Sequence, residues 1–153
     1  MSDIDYTKKR DVMANGKGSA GSSADLGKLV LRLSIGVLIA MHGIAKLGGD
    51  LGWIEGMLGK AGLPAVLAYG VYVGELLAPA LLVVGLWTRA AALVVVVNML
   101  FAIGLVHMHE LGAITKTGAW ALETQALFLF GALAIALLGA GRHSLGGANG
   151  RWN

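Results

Sequence analysis

Residues 63–87 read LPAVLAYGVYVGELLAPALLVVGLW, and this stretch decides the fold. It holds one charge, Glu75, in a run slightly longer than the ~20 residues that cross a hydrocarbon core. An isolated strand in lipid would leave its backbone amides and carbonyls unpaired, so helix is the expected state. Pro64 suits a first helical turn, where its missing N–H costs nothing. Pro79 lies inside the run. It cannot donate to the carbonyl of Glu75 four residues earlier, so the helix should bend there.

Three more apolar segments flank this one: about Leu29 to Leu47, Ala90 to about His107, and Trp120 to Ala140. The reading is an all-α membrane protein, a bundle of four transmembrane helices spanning residues 26–145. A polar tail, expected to be disordered, precedes it at residues 1–25, and a short C-terminal tail follows at 146–153. A signal peptide fits the start poorly, because the Ser-Ala pairs precede the apolar segment instead of following it. Composition agrees with membrane residence: 56% of residues are hydrophobic and 14% charged, where soluble domains run near ~25% charged. Mean hydropathy is +0.72.

The absence of cysteine excludes thiolate chemistry, Cys-ligated iron–sulfur clusters and covalent c-type haem by this chain alone. The net charge of +3 comes from loop residues and makes no basic stripe, so nucleic acid is not an expected partner. With the N-terminus inside, the inner flanks hold Lys8, Lys9, Arg10, Lys17, Lys28, Arg32, Arg89, Arg142 and Arg151. The outer loops hold Lys46, Lys60 and Lys116. This asymmetry places both termini in the cytoplasm. Thr88 and Arg89 then sit in a tight hairpin between the second and third helices.

Each charge inside a membrane costs roughly 2.5–3.5 kcal/mol on insertion scales and needs a reason. Arg32 lies near an end, where it can snorkel to the headgroups. Glu75 lies too deep for that. Tyr72, three residues earlier on the same face, is a candidate hydrogen-bond partner for its carboxyl. His42 and Lys46 are one turn apart near the outer end of the first helix. His107 and His109 end the third, and Glu123 enters the fourth from the same side. At ~100° per residue, His107 and His109 point ~160° apart, so only one of them can face a common site. Asn98 is expected to make an interhelical hydrogen bond. The bland alternatives are solvated interfacial anchors for the histidines and lysine, and a helix-locking carboxylic acid for Glu75. Met41, Met99 and Met108 read as gap-fillers.

In order and spacing the chain resembles the DoxX family of small membrane proteins. The resemblance rests on Leu31-Arg32, His42-Gly43, Lys46-Leu47, Leu63-Pro64, Gly74-Glu75, Gly85-Leu86, Thr88-Arg89, His107, Glu123, Gly139, Gly141-Arg142 and Ser144-Leu145. It covers roughly Leu26 to Leu145. The sequence departs at Gly146, where the family often has Asp, and in its polar N-terminal extension. The resemblance implies a four-helix bundle in a bacterial inner membrane and an association with quinone-linked redox metabolism.

The functional expectation is a redox component with a quinone-type site in the outer half of the bundle. Glu75 and Glu123 would carry protons, and His42, Lys46, His107 and Tyr72 would contact the ring. A partner redox subunit, or a second copy of the chain, would complete it. The competing expectations are a haem or metal site built on His42, His107 and Glu123, and a non-catalytic accessory subunit of a membrane complex.

Overall fold

The computed structural model describes the backbone of residues 3–148 and 150–153, and side chains from residue 21 onward. Among the described residues the protein is helical, with no strands. Helix α1 runs Asp3–Lys46. Its backbone therefore continues as helix through most of the segment expected to be a polar tail, and the side chains of residues 3–20 lie outside those described. Helix α2, Gly52–Lys60, is a short piece between the first two spans. Helix α3 covers Ala65–Val84, and α4 covers Thr88–Glu110. Helix α5 is Glu123–Leu138. Among the described residues three helices are long and apolar enough to cross a membrane: Gly21–Lys46 within α1, α3 and α4.

The fourth apolar segment is shorter than its hydropathy suggests. Residues 111–122 form an irregular loop instead of extending α5. Trp120 Nε1 donates to the Leu111 carbonyl at 2.9 Å, and the Thr115 hydroxyl accepts from the Ala119 amide at 3.1 Å. These bonds satisfy the loop locally, so Trp120 is part of the loop and not of the helix.

The spans are not uniform α-helix. Helix α3 opens as a 3₁₀ turn at Ala65–Tyr69 behind extended Pro64, and passes through a π-helical turn at Val73–Leu77. The π turn places Glu75 just before Pro79, where the lost hydrogen bond was expected to disturb the helix. Helix α4 has a second π turn at Ile103–His107 and closes in a 3₁₀ turn at Met108–Glu110.

The core gathers Ile35 and Ile39 of α1, Ala78 and Leu82 of α3, Ala92, Val95 and Met99 of α4, and Ala132, Ile135 and Ala136 of α5. Small residues let the backbones approach closely. Gly43 shows this best: a side-chain carbon there would collide with the Glu75 carbonyl. The carbonyl that Pro79 deprives of its donor is therefore covered by a glycine of α1. Gly74 is in similarly close contact, against the Asn98 side chain.

Arg32 does not snorkel. It is 1% exposed. Its guanidinium donates to the carbonyls of Leu82 at 2.7 Å, Val83 at 3.1 Å and His143 at 2.6 Å. The first two are orphan carbonyls at the C-terminal end of α3, which carry the negative end of the helix dipole. Gly85, at φ +73°, turns the chain away, and a side chain there would strike Arg32. Arg89 treats α5 the same way, donating to Ala136 and Leu137 carbonyls at 2.9 and 3.0 Å. The last residues fold back on this hairpin. The Thr88 amide and hydroxyl both donate to Asn153 Oδ1, at 3.2 and 2.9 Å. The expected free C-terminal tail is thus docked.

Replacing Arg32 by alanine would strand three carbonyls inside the bundle. Thermal unfolding in detergent should show a loss on the order of 2 kcal/mol. Arg32→Lys should rescue little, because a single ammonium cannot reproduce the planar fork. Wild-type stability in both variants would remove this clamp from the account.

Candidate functional site

The α2 end of the bundle holds the C-terminus of the α1 helix, the start of α3, the end of α4 and the start of α5. Topology alone therefore brings Lys46, His107 and the first turn of α5 to one level. At the centre is an ion pair. Lys46 Nζ donates to both carboxylate oxygens of Glu75, each at 2.6 Å. The Glu75 side chain is 7% exposed and that of Lys46 30%. A lone carboxylate at this depth would be very costly, whereas a short bidentate pair offsets much of its desolvation. Lys46 reaches Glu75 because Gly43, one turn before it, brings α1 against the π turn of α3.

The pair forms part of the wall between two cavities. The larger, about 540 Å³, lies between α2, α3 and α4. Apart from Lys46, Glu75 and Asn98 its lining is apolar, with Trp53, Val97, Phe101 and Leu105 among the residues. Its size lies within the range of small-molecule sites. Asn98 Nδ2 is buried and has no hydrogen-bond partner among the described residues. The expected interhelical hydrogen bond from this amide is absent; Asn98 packs on Gly74 and borders the cavity.

The smaller cavity, about 130 Å³, lies on the other side of the pair. It is bordered by His42, Lys46, Glu75, His107, Thr124 and Gln125, with Phe128 and Met99. His42 Nδ1 donates to the Leu38 carbonyl at 2.8 Å, and its ring meets Phe128 edge-on at 5.6 Å. That bond assigns the proton to Nδ1 in the neutral ring and leaves Nε2 as the basic nitrogen. His107 Nδ1 bonds Glu110 Oε2 at 2.8 Å, and its Nε2 accepts from Gln125 Nε2 at 3.3 Å. Gln125 Oε1 is buried with no partner.

Four of the six expected site residues, His42, Lys46, Glu75 and His107, therefore converge. Of the two terminal histidines only His107 faces the site; the side chain of His109 is 75% exposed. Two expected residues are elsewhere. Tyr72 does not reach the Glu75 carboxylate. Its ring lies 6.4 Å from that of Tyr69 and packs against the small cluster of Leu51, Leu58 and Ala68. The π turn after Tyr72 breaks the i,i+3 register on which that pairing depended. Glu123 is exposed in the first turn of α5, where its charge suits the helix N-terminus, and it borders neither cavity. Gln125 is the residue that sequence reasoning missed. Two positions on from Glu123, about 200° around the helix, it must point inward if Glu123 points out.

A protein-family model for DoxX matches residues 27–108. The chain belongs to the DoxX family. That match takes in Arg32, Lys46, Glu75, Asn98 and His107. A Bacillus subtilis (strain 168) protein named "Putative oxidoreductase CatD" is 36% identical over 84 residues, 55% of this chain. The chain spans 58% of that relative's length. No solved structure matches the chain.

The ion pair gives a sharp expectation. Glu75→Gln or Lys46→Met alone strands one charge in the bundle, and each should destabilise the protein. The double variant should recover part of the loss, with a coupling of about 1–3 kcal/mol in a double-mutant cycle read by thermal unfolding. Additive losses would mean that the two side chains act independently.

Proposed function

We propose that this DoxX-family protein is a membrane redox component whose larger cavity binds a quinone-type ring. The observation that carries this reading is the Lys46–Glu75 pair at the wall of an apolar, ligand-sized cavity, with the Asn98 amide beside it lacking a partner. A quinone needs few polar contacts: donors for its ring oxygens and a group that exchanges protons, within apolar walls. Asn98 and Lys46 would donate, and Glu75 would hold and pass a proton. A quinone bound there would supply two-electron, two-proton chemistry. The electrons would come from a partner redox subunit, since the chain has no cysteine for a cluster. The name of the Bacillus relative supports the redox assignment.

This reading moves the ring away from His42 and His107. They border a cavity of 130 Å³, well below ligand size. The same volume disfavours a haem between them. Among the described residues no three His, Asp or Glu groups cluster in a way that could hold a metal ion.

In the membrane, α5 would serve as the fourth span, with both termini on the cytoplasmic side. At 16 residues it rises about 24 Å. Local thinning of the bilayer meets such a mismatch at small cost. A second reading, a non-catalytic assembly subunit, draws on the same pair: a carboxylate satisfied by Lys46 can lock α1 to α3 with no ligand.

Purification in mild detergent, followed by solvent extraction and titration with decylubiquinone, separates the two. The redox reading expects a co-purified quinone or saturable binding at one site per chain. Asn98→Val should weaken that binding about tenfold, the worth of one buried hydrogen bond. Absence of binding to wild-type protein would leave the assembly reading.

A further inference from the structure

Beyond Lys46, Glu75 and Asn98 the walls of the larger cavity are apolar, so it holds no chain of polar groups leading away from Glu75. The smaller cavity shares the pair and adds the polar side chains of His42, His107, Thr124 and Gln125. We infer that the 130 Å³ cavity is a water-filled proton path from Glu75 to the α2 end of the bundle, with His107 as the shuttle and Gln125 positioning it. The inference rests on reading Glu75 as the proton-exchanging group of the larger cavity.

Three observations carry it. The volume has room for several waters, and His42, His107, Thr124 and Gln125 on its lining offer them polar partners. Gln125 Oε1 is buried on that lining with no partner among the described residues, so it is an acceptor left for water. From Gln125 the hydrogen bonds continue outward without a gap: Gln125 Nε2 to His107 Nε2 at 3.3 Å, then His107 Nδ1 to Glu110 Oε2 at 2.8 Å. The Glu110 side chain is 33% exposed and ends the chain at the surface.

The ring of His107 suits a shuttle. With Nδ1–H held by Glu110, its Nε2 is the basic nitrogen. A proton from the cavity water adds there, the ring becomes cationic, and the Glu110 carboxylate stabilises it. The Nδ1 proton then leaves through Glu110 to solvent, and the ring returns to neutrality. Gln125 accommodates both states. Its amide donates to neutral Nε2, and a half-turn presents Oε1 to accept from Nε2–H. No bond other than those to protons is made or broken.

The titratable groups facing this path are His42 and Lys46 from α1, Glu75 from α3, and His107 with Glu110 from α4, and His109 Nε2 lies 3.6 Å from Glu110 Oε1 at its outer end. From α5 Thr124, Gln125 and Phe128 face it, none of which titrates. The charged groups of α2, Glu55 and Lys60, border neither cavity.

The test is infrared spectroscopy after a pH jump on the full chain in lipid nanodiscs, following the carboxyl band that disappears in Glu75→Gln. The wild-type band should respond within the mixing time. Gln125→Met and His107→Phe, which close the path in two different ways, should each slow it at least tenfold. Glu123→Gln should leave it unchanged. If the band relaxes at the wild-type rate in either closing variant that retains wild-type helix content, the path is wrong. A wild-type protein with no titrating band from Glu75 overturns it equally. Decylubiquinone titration of the same samples separates the two claims. Slowed relaxation in protein that binds no quinone would keep the proton path and discard the quinone site. Tight binding with unslowed relaxation would do the reverse.

Discussion

A carboxylate partway along a membrane-crossing helix must be paired, and the α2 end of this bundle is arranged around that need. Glu75 finds its cation in Lys46, one turn beyond Gly43. Gly43 is where it is because any side chain would strike the Glu75 carbonyl. That carbonyl is free to be approached because Pro79 cannot donate to it. Proline, π turn, glycine contact and ion pair are therefore one arrangement, distributed over two helices. A change to any of them acts on the placement of the carboxylate.

The opposite end of the bundle solves a different problem with similar means. Helices α3 and α5 finish with carbonyls that have no helical donor. In a bundle with little water these carbonyls must be met by side chains. Arg32 and Arg89 meet them, one for each helix, and the docked C-terminal residues fill the remaining positions. Positive side chains at helix C-termini also suit the helix dipole. The arginines that topology rules count as inner-flank charges are thus also internal fastenings. Charge counts and structural roles need not compete, because a guanidinium can sit at the membrane boundary and still spend its donors inward.

Much of the fold was legible because length and hydropathy are strong signals in lipid. Helices α3 and α4 begin and end close to where the apolar runs do, and α1 ends with its run but begins well before it. A disturbance of the helix near Glu75 was legible from one proline four residues on, and it takes the form of a π turn. That only one of His107 and His109 could face inward followed from helical spacing, which did not say which. What was not legible depended on register. Tyr72 shares a face with Glu75 only in a regular helix, and the π turn between them breaks that relation. Arg32 reads as a snorkelling residue because hydropathy carries no record of which carbonyls lie across the interface. Gln125 escaped notice because an uncharged amide stands out little in an apolar run. Its inward direction becomes readable only once Glu123 is known to point out.

The two cavities differ in where their walls come from, and that bears on how far the family likeness reaches. The larger one is lined wholly by residues between Lys46 and Val106, inside the region matched to DoxX. The smaller one takes Thr124, Gln125 and Phe128 from α5, beyond that region. Glu110, at its outer end, also lies beyond it. The ion pair belongs to both. The matched region therefore contains the residues of the apolar cavity and the charged pair, while the other side of the pair depends on where this chain's own last helix is set. The placement of that helix is fixed by packing at Ala132, Ile135 and Ala136 and by the Arg89 clamp at its far end. The position of the Gln125 amide is thus tied mechanically to the hairpin at the other side of the bundle.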